Sequence, residues 1–384
     1  MSEEISLSAP WQPQLDGLPF HMDYFQGSMY EAVCVTAEKF PEYIACEFMG
    51  AKTTYKQLLE NINKTARAFS ALGIAKGDKV TIALPNCPQA LAAFYALNSI
   101  GAVCNVVHPL SAEKELEHYV NISESCAVVT LDQFYGKFSS IRENTKVRNI
   151  ILASIKDELP VAIRAGYQLT EGRKIPKVPK DAQVIWWKDF LKPGRIWKED
   201  PAVHMEADDT AVILYSGGTT GTTKGVELTN LNFNANGAHI VGVNQMFRPG
   251  DRMMSALPIF HGFGLGVCIH SMLLNGGSCI LMPRFTADSY SKLLLKKKCN
   301  FLAGVPTLYE AMTRSNVLEK ADLSFLKGVF SGGDSLSVEL KKKIDTFLYD
   351  HGSPVQIREG YGATETVGAC CLTDRKSTRL NSSH

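Results

Sequence analysis

The 384-residue sequence has little net charge, no long apolar run and no apolar leader. A formal net charge of +1 gives no reason to expect a nucleic acid as a partner. No apolar stretch approaches the length of a membrane span, although peripheral contact with a membrane stays open. The opening residues, Met1 to Ser6, are polar and acidic, unlike a secretory signal. These absences favour a cytoplasmic protein.

Cysteines are present but not clustered. None of the ten belongs to a Cys-x-x-Cys pair. Most of them lie within apolar runs, which is typical of reduced thiols that pack as small hydrophobic side chains in the cytosol.

Helical and strand-like patterns alternate along the chain. We predict helices over 54–72, 89–100 and 113–121, and strands over 79–84, 102–107, 127–131 and 149–153. Strand-like runs recur at 252–257, 278–282, 301–305, 328–330 and 355–358. This alternation predicts an α/β fold with mostly parallel sheets covered on both faces, one α/β unit over about residues 1–200 and a second over about 201–373.

Between Ala165 and Asp181 the apolar residues follow neither helical nor strand-like spacing, and Gly, Pro, Lys and Arg predominate. The simpler interpretation is an exposed connector with a solvated positive face, and the alternative is a basic docking strip over 173–180.

A glycine- and threonine-rich loop follows the apolar strand-like run Ala211 to Tyr215. Its glycines allow positive φ and close backbone approach, its hydroxyls can reach phosphate or magnesium, and Lys224 supplies a cation. This composition predicts a polyphosphate-binding loop. The candidate residues are Ser216, Gly217, Gly218, Thr219, Thr220, Gly221, Thr222 and Lys224.

Two alternatives compete with this interpretation of the loop. A Walker A loop needs Gly-Lys-Ser/Thr and an immediate helix, whereas the order here is Thr223-Lys224-Gly225, followed by apolar residues up to Leu228. We therefore predict a strand–loop–strand in which Thr229 caps the next helix. An ordinary surface turn rarely runs so long with this composition.

Three other loops carry polar or glycine-rich sequence that packing alone does not explain. They are Leu257 to Gly264, Ser331 to Ser335 and Gly360 to Thr366. Because ligands of open α/β sheets bind beyond the carboxyl ends of the strands, we expect these loops to converge on the phosphate loop.

Three of these motifs together carry a resemblance. The first is Tyr215 to Gly225 (Tyr-Ser-Gly-Gly-Thr-Thr-Gly-Thr-Thr-Lys-Gly), the second is Leu257 to Gly264 (Leu-Pro-Ile-Phe-His-Gly-Phe-Gly) and the third is Tyr361 to Glu365 (Tyr-Gly-Ala-Thr-Glu). In order and spacing they resemble motifs of the adenylate-forming superfamily. The match is most similar to bacterial fatty-acyl-CoA ligases and covers nearly all of the chain to Thr373. It implies two doubly wound α/β subdomains of the superfamily's large N-terminal domain.

The resemblance implies a two-step reaction. A carboxylate attacks the α-phosphate of ATP to give an acyl-adenylate and pyrophosphate, and the thiol of CoA then displaces AMP. The implied catalytic residues are Lys224, His261, Thr364 and Glu365, and Thr219 and Glu365 are implied to bind Mg²⁺. Gly332, Gly333, Asp334, Tyr361, Gly362 and Thr364 are implied to hold the adenosine and α-phosphate.

His261 is the one histidine for which we favour a functional role. Gly262 and Gly264 follow it and are expected to open space beside it, and the family's matching histidine lies beside the substrate carboxylate. His108, His118, His204, His239 and His270 lack that context.

The substrate class is inferred partly from an absence. Amino-acid-activating relatives place an aspartate in or after the second motif, and Phe260 to Phe263 contains no carboxylate. Small and apolar residues at Gly262, Gly264, Gly266 and 303–305 are expected to form an apolar groove. A fatty or aryl acid therefore fits better than an amino acid.

The end of the chain departs from the family pattern after Thr373. Asp374 to His384 can be encoded by a common sequencing adapter, so we expect a non-native tail. The family's small C-terminal domain is then absent, and we expect weak activity from this fragment. Two alternatives stay open: an enzyme that loads a carrier protein instead of CoA, and a non-catalytic nucleotide-binding module. The sequence does not indicate an oligomeric state.

Overall fold

The computed structural model describes residues 22–197, 199–216 and 223–373. The expected tail, 374–384, and the six residues at the tip of the phosphate loop, 217–222, lie outside the described residues.

The strands of the described chain largely follow the predicted pattern. They are β1 (Ile44–Phe48), β2 (Ala51–Thr54), β3 (Lys79–Ala83), β4 (Val103–Val106), β5 (Ala127–Leu131), β6 (Asn149–Ala153), β7 (Val184–Trp186), β8 (Thr210–Ser216), β9 (Lys224–Thr229), β10 (Arg252–Ser255), β11 (Ser278–Leu281), β12 (Phe301–Gly304), β13 (Gly328–Ser331), β14 (Ile357–Tyr361) and β15 (Cys371–Leu372).

The helices are α1 (Met29–Lys39), α2 (Tyr55–Ala71), α3 (Pro88–Ser99), α4 (Glu113–Ile122), α5 (Tyr135–Ile141), α6 (Val161–Leu169), α7 (Trp187–Ile196), α8 (Asn230–Val243), α9 (Ser271–Leu274), α10 (Ala287–Lys297), α11 (Pro306–Thr313) and α12 (Val338–Asp350). A π-helix, Phe263–His270, leads into α9. The predicted helices over 54–72, 89–100 and 113–121 correspond to α2, α3 and α4.

The described strands form two largely parallel sheets. One has seven strands in the order β7-β6-β5-β3-β4-β8-β9, and the other has eight in the order β15-β14-β13-β12-β10-β11-β1-β2. Antiparallel pairs occur only at sheet edges among the described strands: β8 with β9, β1 with β2, and β14 with β15. The α/β prediction is confirmed.

Sheet membership crosses the boundary that the sequence placed near residue 200. β1 pairs in parallel with β11, with Cys46 opposite Cys279, although more than two hundred residues separate them. β8 pairs in parallel with β4, with Val212 opposite Cys104. Each sheet is therefore built from both halves of the chain.

Alternating side chains place the second sheet between two cores. Met253, Cys279 and Phe301 belong to a central core shared with the seven-stranded sheet and with α1, α2 and α3. Their neighbours Met254, Ile280 and Leu302 belong to a separate core. This two-residue alternation explains why the strands are apolar throughout, since both faces of the sheet are buried.

One segment differs from the sequence prediction. The patternless stretch from Ala165 begins inside α6, and a 3₁₀ turn, Glu171–Lys174, follows it. The sequence pattern failed here because none of the α6 residues is buried and its apolar residues Val161 and Leu169 face solvent, so the apolar spacing does not mark a buried stripe.

No helix among the described residues is both long and apolar enough to cross a bilayer.

Candidate active site

The candidate site begins at the β8–β9 hairpin. Ser216 and Lys224 lie opposite each other in its register, so the two described ends of the phosphate loop are held side by side. Tyr215 anchors this end of β8, because its hydroxyl donates to Asn105 Oδ1 at 2.7 Å and lies 3.0 Å from the Tyr119 carbonyl oxygen. The predicted strand–loop–strand is confirmed at both strands. Gly217, Gly218, Thr219, Thr220, Gly221 and Thr222 lie outside the described residues.

The hairpin continues directly into α8 through a capping box. The Thr229 side chain accepts from the Asn232 amide, and the Asn232 side chain accepts from the Thr229 amide. This confirms the predicted cap at Thr229. Two turns further along α8, Asn236 donates to the Thr366 carbonyl at 3.2 Å and to the Ala369 carbonyl at 2.8 Å. The β8–β9 hairpin, which carries the predicted phosphate loop, and the segment after β14 are therefore joined through α8.

Thr364 and Glu365 lie in a short 3₁₀ turn, Thr364–Thr366, at the carboxyl end of β14. The Ala363 amide donates to Thr366 Oγ1 at 3.0 Å, which closes the turn. Cα atoms of this turn come within 8 Å of those of β8 and β9. Glu365 is exposed, so its carboxylate is open to a ligand near the mouth of the phosphate loop.

The second motif packs directly against the segment that follows this turn. A Cβ atom on Gly262 would lie 2.9 Å from the Val367 carbonyl carbon, and one on Gly266 would lie 2.5 Å from Val367 Cγ1. A Cβ atom on Gly264 would overlap the Pro258 carbonyl oxygen. These glycines allow close backbone packing.

This packing corrects part of the sequence prediction. In the direction that a side chain would take, Gly262, Gly264 and Gly266 meet protein atoms, so their missing side chains do not open space beside His261.

Val367 is held in an unusual conformation. It is buried, β-branched and has a φ of 55°, a left-handed value that such residues rarely adopt. The strain is local to the junction between Thr364–Thr366 and the second motif, and strained backbone of this kind is enriched at functional sites.

The third loop, Ser331 to Ser335, meets the same junction. The Gly332 amide donates to the Gly304 carbonyl at 3.0 Å, and a Cβ on Gly332 would lie 3.1 Å from the Gly360 carbonyl oxygen and 3.2 Å from Phe263 Cε1. Gly333 has a φ of 78°, which favours glycine there. Three of the predicted loops therefore meet at Gly332.

Polar and aromatic groups at this junction remain accessible. Asp334 is exposed, and its carboxylate accepts from the Ser335 amide at 2.7 Å. The Tyr361 side chain is 61% exposed. An exposed aromatic ring beside backbone glycines suits a planar ligand such as a nucleotide base.

His261 lies in the second motif, on the other side of its junction with the Thr364–Thr366 segment, and His108 lies nearby. The ring of Phe260, the residue before His261, packs on the His108 ring at a tilt, with centroids 4.1 Å apart. Part of the His261 side chain remains open to solvent, yet the surrounding protein and then the nearby charge of His108 lower its pKa. The lowered pKa favours the neutral imidazole of His261. Sequence context does not single out His108, but the fold places it here, and burial and Lys137 lower its own pKa.

His270 is a core residue. Its Nε2 lies 3.0 Å from Asn234 Oδ1 and its Nδ1 lies 3.0 Å from the Tyr95 hydroxyl. Asn234 uses its amide to donate to the Gly27 carbonyl, so its oxygen accepts from Nε2–H of His270. Complete burial lowers the pKa of His270 to about 3.

Asn86 is a site-positioning residue that sequence reasoning missed. It follows β3, is buried, and donates to the carbonyls of Ser255 and Leu257, both at 2.8 Å. It also accepts from the Ile259 amide at 3.1 Å. The signal was an asparagine directly after the apolar strand and Pro85, but its partners lie about 170 residues away.

These contacts place the candidate site between the carboxyl ends of two sheets. Asn86 and His108 follow β3 and β4 of one sheet, while the second motif, Gly332 and Glu365 follow β10, β13 and β14 of the other. A cavity of about 310 Å³ lies elsewhere, lined by Lys79, Val103 and Thr210 at the amino ends of β3, β4 and β8. The arrangement agrees with the rule that α/β sheets bind ligands at carboxyl ends.

Comparison with known proteins gives the family. Residues 34–383 match the family described as AMP-binding enzyme. The chain belongs to the AMP-binding enzyme family.

Several known CoA ligases resemble the chain along most of its length. A long-chain-fatty-acid–CoA ligase of Bacillus subtilis is 29% identical over 364 residues, covering 93% of this chain and 63% of the relative. The corresponding ligase of Yersinia pestis is 29% identical, covering 88% of this chain and 59% of the relative. A probable 4-coumarate–CoA ligase of Dictyostelium discoideum is 29% identical, covering 81% and 54%. The chain thus spans between 54% and 63% of these relatives.

Solved structures of two CoA ligases share the fold. A long-chain-fatty-acid-CoA ligase from Archaeoglobus fulgidus superposes with a TM-score of 0.77 at 23% identity, covering 93% of this chain and 68% of that one. An anthranilate CoA ligase in complex with anthranoyl-AMP superposes with a TM-score of 0.75 at 19% identity, covering 94% and 64%.

Proposed function

We propose that the intact protein is an AMP-forming acyl-CoA ligase of the cytoplasm, with ATP, a fatty acid and CoA as substrates. The observation that carries this proposal is the junction of the Thr364–Thr366 turn with both the second motif and the hairpin of the phosphate loop. That junction brings together a loop suited to polyphosphate, a free carboxylate and a neutral histidine. Family membership and CoA-ligase relatives support the same chemistry.

In the proposed binding mode, ATP lies across the carboxyl ends of both sheets. Lys224 and the loop from Ser216 to Thr222 hold the β- and γ-phosphates. Tyr361 lies against the adenine, and Gly332, Gly333 and Asp334 line its edge. Gly362 contacts the nucleotide through its backbone, since the place of a Cβ atom there is taken by the Gly368 backbone. Thr364 faces the α-phosphate, where its hydroxyl donates a hydrogen bond.

The donor set fits magnesium as a companion of ATP. Mg²⁺ commonly binds through one or two carboxylates, waters and phosphate oxygens, and Glu365 is an exposed carboxylate at the mouth of the loop. Thr219 is the second proposed ligand. When bound, the ion would offset negative charge on the phosphates.

His261 is proposed to orient the substrate acid. A neutral imidazole donates a hydrogen bond to a carboxylate without holding it in an ion pair, so the acid oxygen stays nucleophilic towards the α-phosphate. Phe260 and His108 limit the rotation of this region from one side.

A fatty acid is the proposed substrate because the segment beside His261 is apolar. Phe260 and Phe263 flank it, and both pack against the central core. These partly buried aromatic side chains give no partner for an α-amine, which would be costly to desolvate. An aryl acid is the competing substrate, since the relatives include a probable 4-coumarate–CoA ligase.

The test is acid-dependent ATP–pyrophosphate exchange by the intact protein, alongside ATP binding by this 384-residue chain. We expect exchange with fatty acids, and acyl-CoA and AMP once CoA is added. Glu365→Ala should lower exchange by about a hundredfold or more, since it removes charge stabilisation at the phosphates. The matched control, Glu319→Ala, changes another exposed glutamate outside the site.

Two other results would contradict part or all of this proposal. Exchange with an acyl product on a carrier protein but none on CoA would replace the proposed acceptor. ATP binding without exchange for any carboxylic acid would contradict the ligase and leave a nucleotide-binding module.

A further inference from the structure

The segment from Val161 to Lys180 exposes apolar and basic side chains together. Val161 is 81% exposed, Leu169 is 62% exposed and Ile163 is 41% exposed. None of the nine residues of α6 is buried. A helix that shows large apolar side chains to water on this scale marks an interaction surface.

Three apolar side chains of α6 form a stripe on its exposed face. Val161, Ala165 and Leu169 recur every four residues and are all exposed, so they share one face. Tyr167 lies on a different face and packs against the central core. Core packing therefore fixes the helix through Tyr167 and leaves the stripe outermost.

The charge of this segment is strongly positive. Residues 161–180 contain five basic side chains and one acidic side chain, a net charge of +4, whereas the whole chain carries +1. The basic residues are Arg164, Arg173, Lys174, Lys177 and Lys180, and all are exposed. The acidic residue, Glu171, pairs with Lys174 at 2.7 Å.

The basic turn lies beside the apolar helix. Cα atoms of Glu171–Lys174 come within 8 Å of those of α6. A Cβ on Gly172 would lie 3.3 Å from the Tyr167 carbonyl oxygen, so the chain folds back onto the helix at this point. Apolar and basic groups therefore share one local surface.

We propose that α6 and the basic segment that follows it, residues 161–180, dock on an anionic lipid bilayer. Val161 and Leu169 enter the interface between head groups and acyl chains, while the lysines and arginines contact lipid phosphates. Charge complementarity favours this occupant, because a bilayer with anionic lipids supplies both negative charge and apolar depth. A second copy of the chain would bring the same +4 face and be repelled.

The test is flotation of the full 384-residue chain with vesicles of phosphatidylcholine, with and without phosphatidylglycerol, in the absence of ATP and acid. It is thus independent of the proposed ligase activity. We expect binding only when phosphatidylglycerol is present, and weaker binding as salt rises, since salt screens the attraction.

Two variants separate the contributions of charge and apolar contact. The charge variant combines Arg173→Gln, Lys174→Gln, Lys177→Gln and Lys180→Gln, and the apolar variant combines Val161→Ser with Leu169→Ser. Each variant should lower the partition coefficient by about tenfold or more. The matched control replaces four exposed lysines on other surfaces, Lys296, Lys320, Lys342 and Lys343, with glutamine and should bind like the unmodified chain. Circular dichroism confirms that each variant is folded.

Several results would overturn the proposal. They are equal binding to both vesicle types, unchanged binding of both segment variants, and an equal loss in the control. A dimer by analytical ultracentrifugation that dissociates on Val161→Ser with Leu169→Ser would instead assign this surface to a second copy.

Discussion

At the scale of single residues, glycines determine how closely the site loops approach one another. Gly262, Gly264 and Gly266 are buried, and any side chain at them meets backbone or core atoms. The interaction that joins the second motif to the Thr364–Thr366 turn therefore depends on missing Cβ atoms, which local sequence pattern cannot distinguish from an open cleft.

Gly264→Ala should lower the free energy of unfolding by about 3 kcal/mol, because the new methyl group overlaps a backbone carbonyl that cannot move independently. The matched control is Gly136→Ala in α5, where a Cβ meets nothing within 4 Å. That change should be neutral or stabilise the helix by about 0.5–1 kcal/mol. Urea denaturation measures both, and a similar small effect at both sites would contradict the close packing at Gly264.

His270 makes stability depend on pH in a defined window. Its pKa falls from 6.5 to about 3 on folding because it is completely buried. Between pH 3 and 6.5 this histidine binds a proton in the unfolded chain but not in the folded chain. The free energy of unfolding therefore has its full value, as far as His270 is concerned, above pH 6.5 and decreases as the pH falls towards 3. The loss is at most about 1.4 kcal/mol per pH unit.

His270→Gln should therefore flatten the dependence of unfolding free energy on pH in that window, while lowering stability at neutral pH. The measurement is urea denaturation at several pH values. His118→Gln, at an exposed histidine, should leave the slope as it was. An unchanged slope in His270→Gln would show that His270 does not remain neutral in the folded chain.

At the scale of elements, α8 links the phosphate hairpin to the Glu365 turn. The helix starts at the Thr229 cap, directly after β9, and its Asn236 holds the carbonyls of Thr366 and Ala369. A displacement at the start of α8 is therefore passed to both sides of the site.

Thr229→Ala should lower unfolding free energy by about 1 kcal/mol and also weaken ATP binding. Thr286→Ala removes the equivalent capping box of α10 and should cost a similar amount, while ATP affinity stays unchanged. Calorimetric titration with ATP compares the two. Equal affinities in both variants would mean that the α8 cap does not position the site.

At the scale of the whole molecule, neither half of the chain contains a complete sheet. Residues before 200 supply β1 and β2 to the eight-stranded sheet, and residues after 200 supply β8 and β9 to the seven-stranded sheet. The buried Tyr55 hydroxyl also donates to the Gly277 carbonyl at 2.7 Å. These contacts make the two sheets interdependent.

We expect that residues 1–200 and 201–373, expressed separately, show no cooperative unfolding, because each leaves unpaired strands and an exposed core face. Co-expression of the two pieces should recover a complex that unfolds cooperatively. Thermal unfolding followed by circular dichroism is the measurement. Cooperative unfolding of one piece alone would show that the boundary near residue 200 separates autonomous units.

The sequence by itself determined the elements and the candidate motifs. Apolar runs and helical spacing depend only on neighbouring residues, so β5 and β6 match the predicted ranges 127–131 and 149–153. The motif composition around Ser216–Lys224 and Tyr361–Glu365 likewise reflects local chemistry, and it carries the resemblance to the adenylate-forming superfamily independently of the fold.

Only the tertiary structure decided which distant residues meet. Asn86 reaches the second motif across the interface between the sheets, His108 lies on Phe260, and Gly262 packs on Val367. Each contact joins residues that are far apart in the chain, where periodicity carries no information. The exchange of strands between the sheets has the same cause, because strand pairing depends on the global path of the chain and not on local preference.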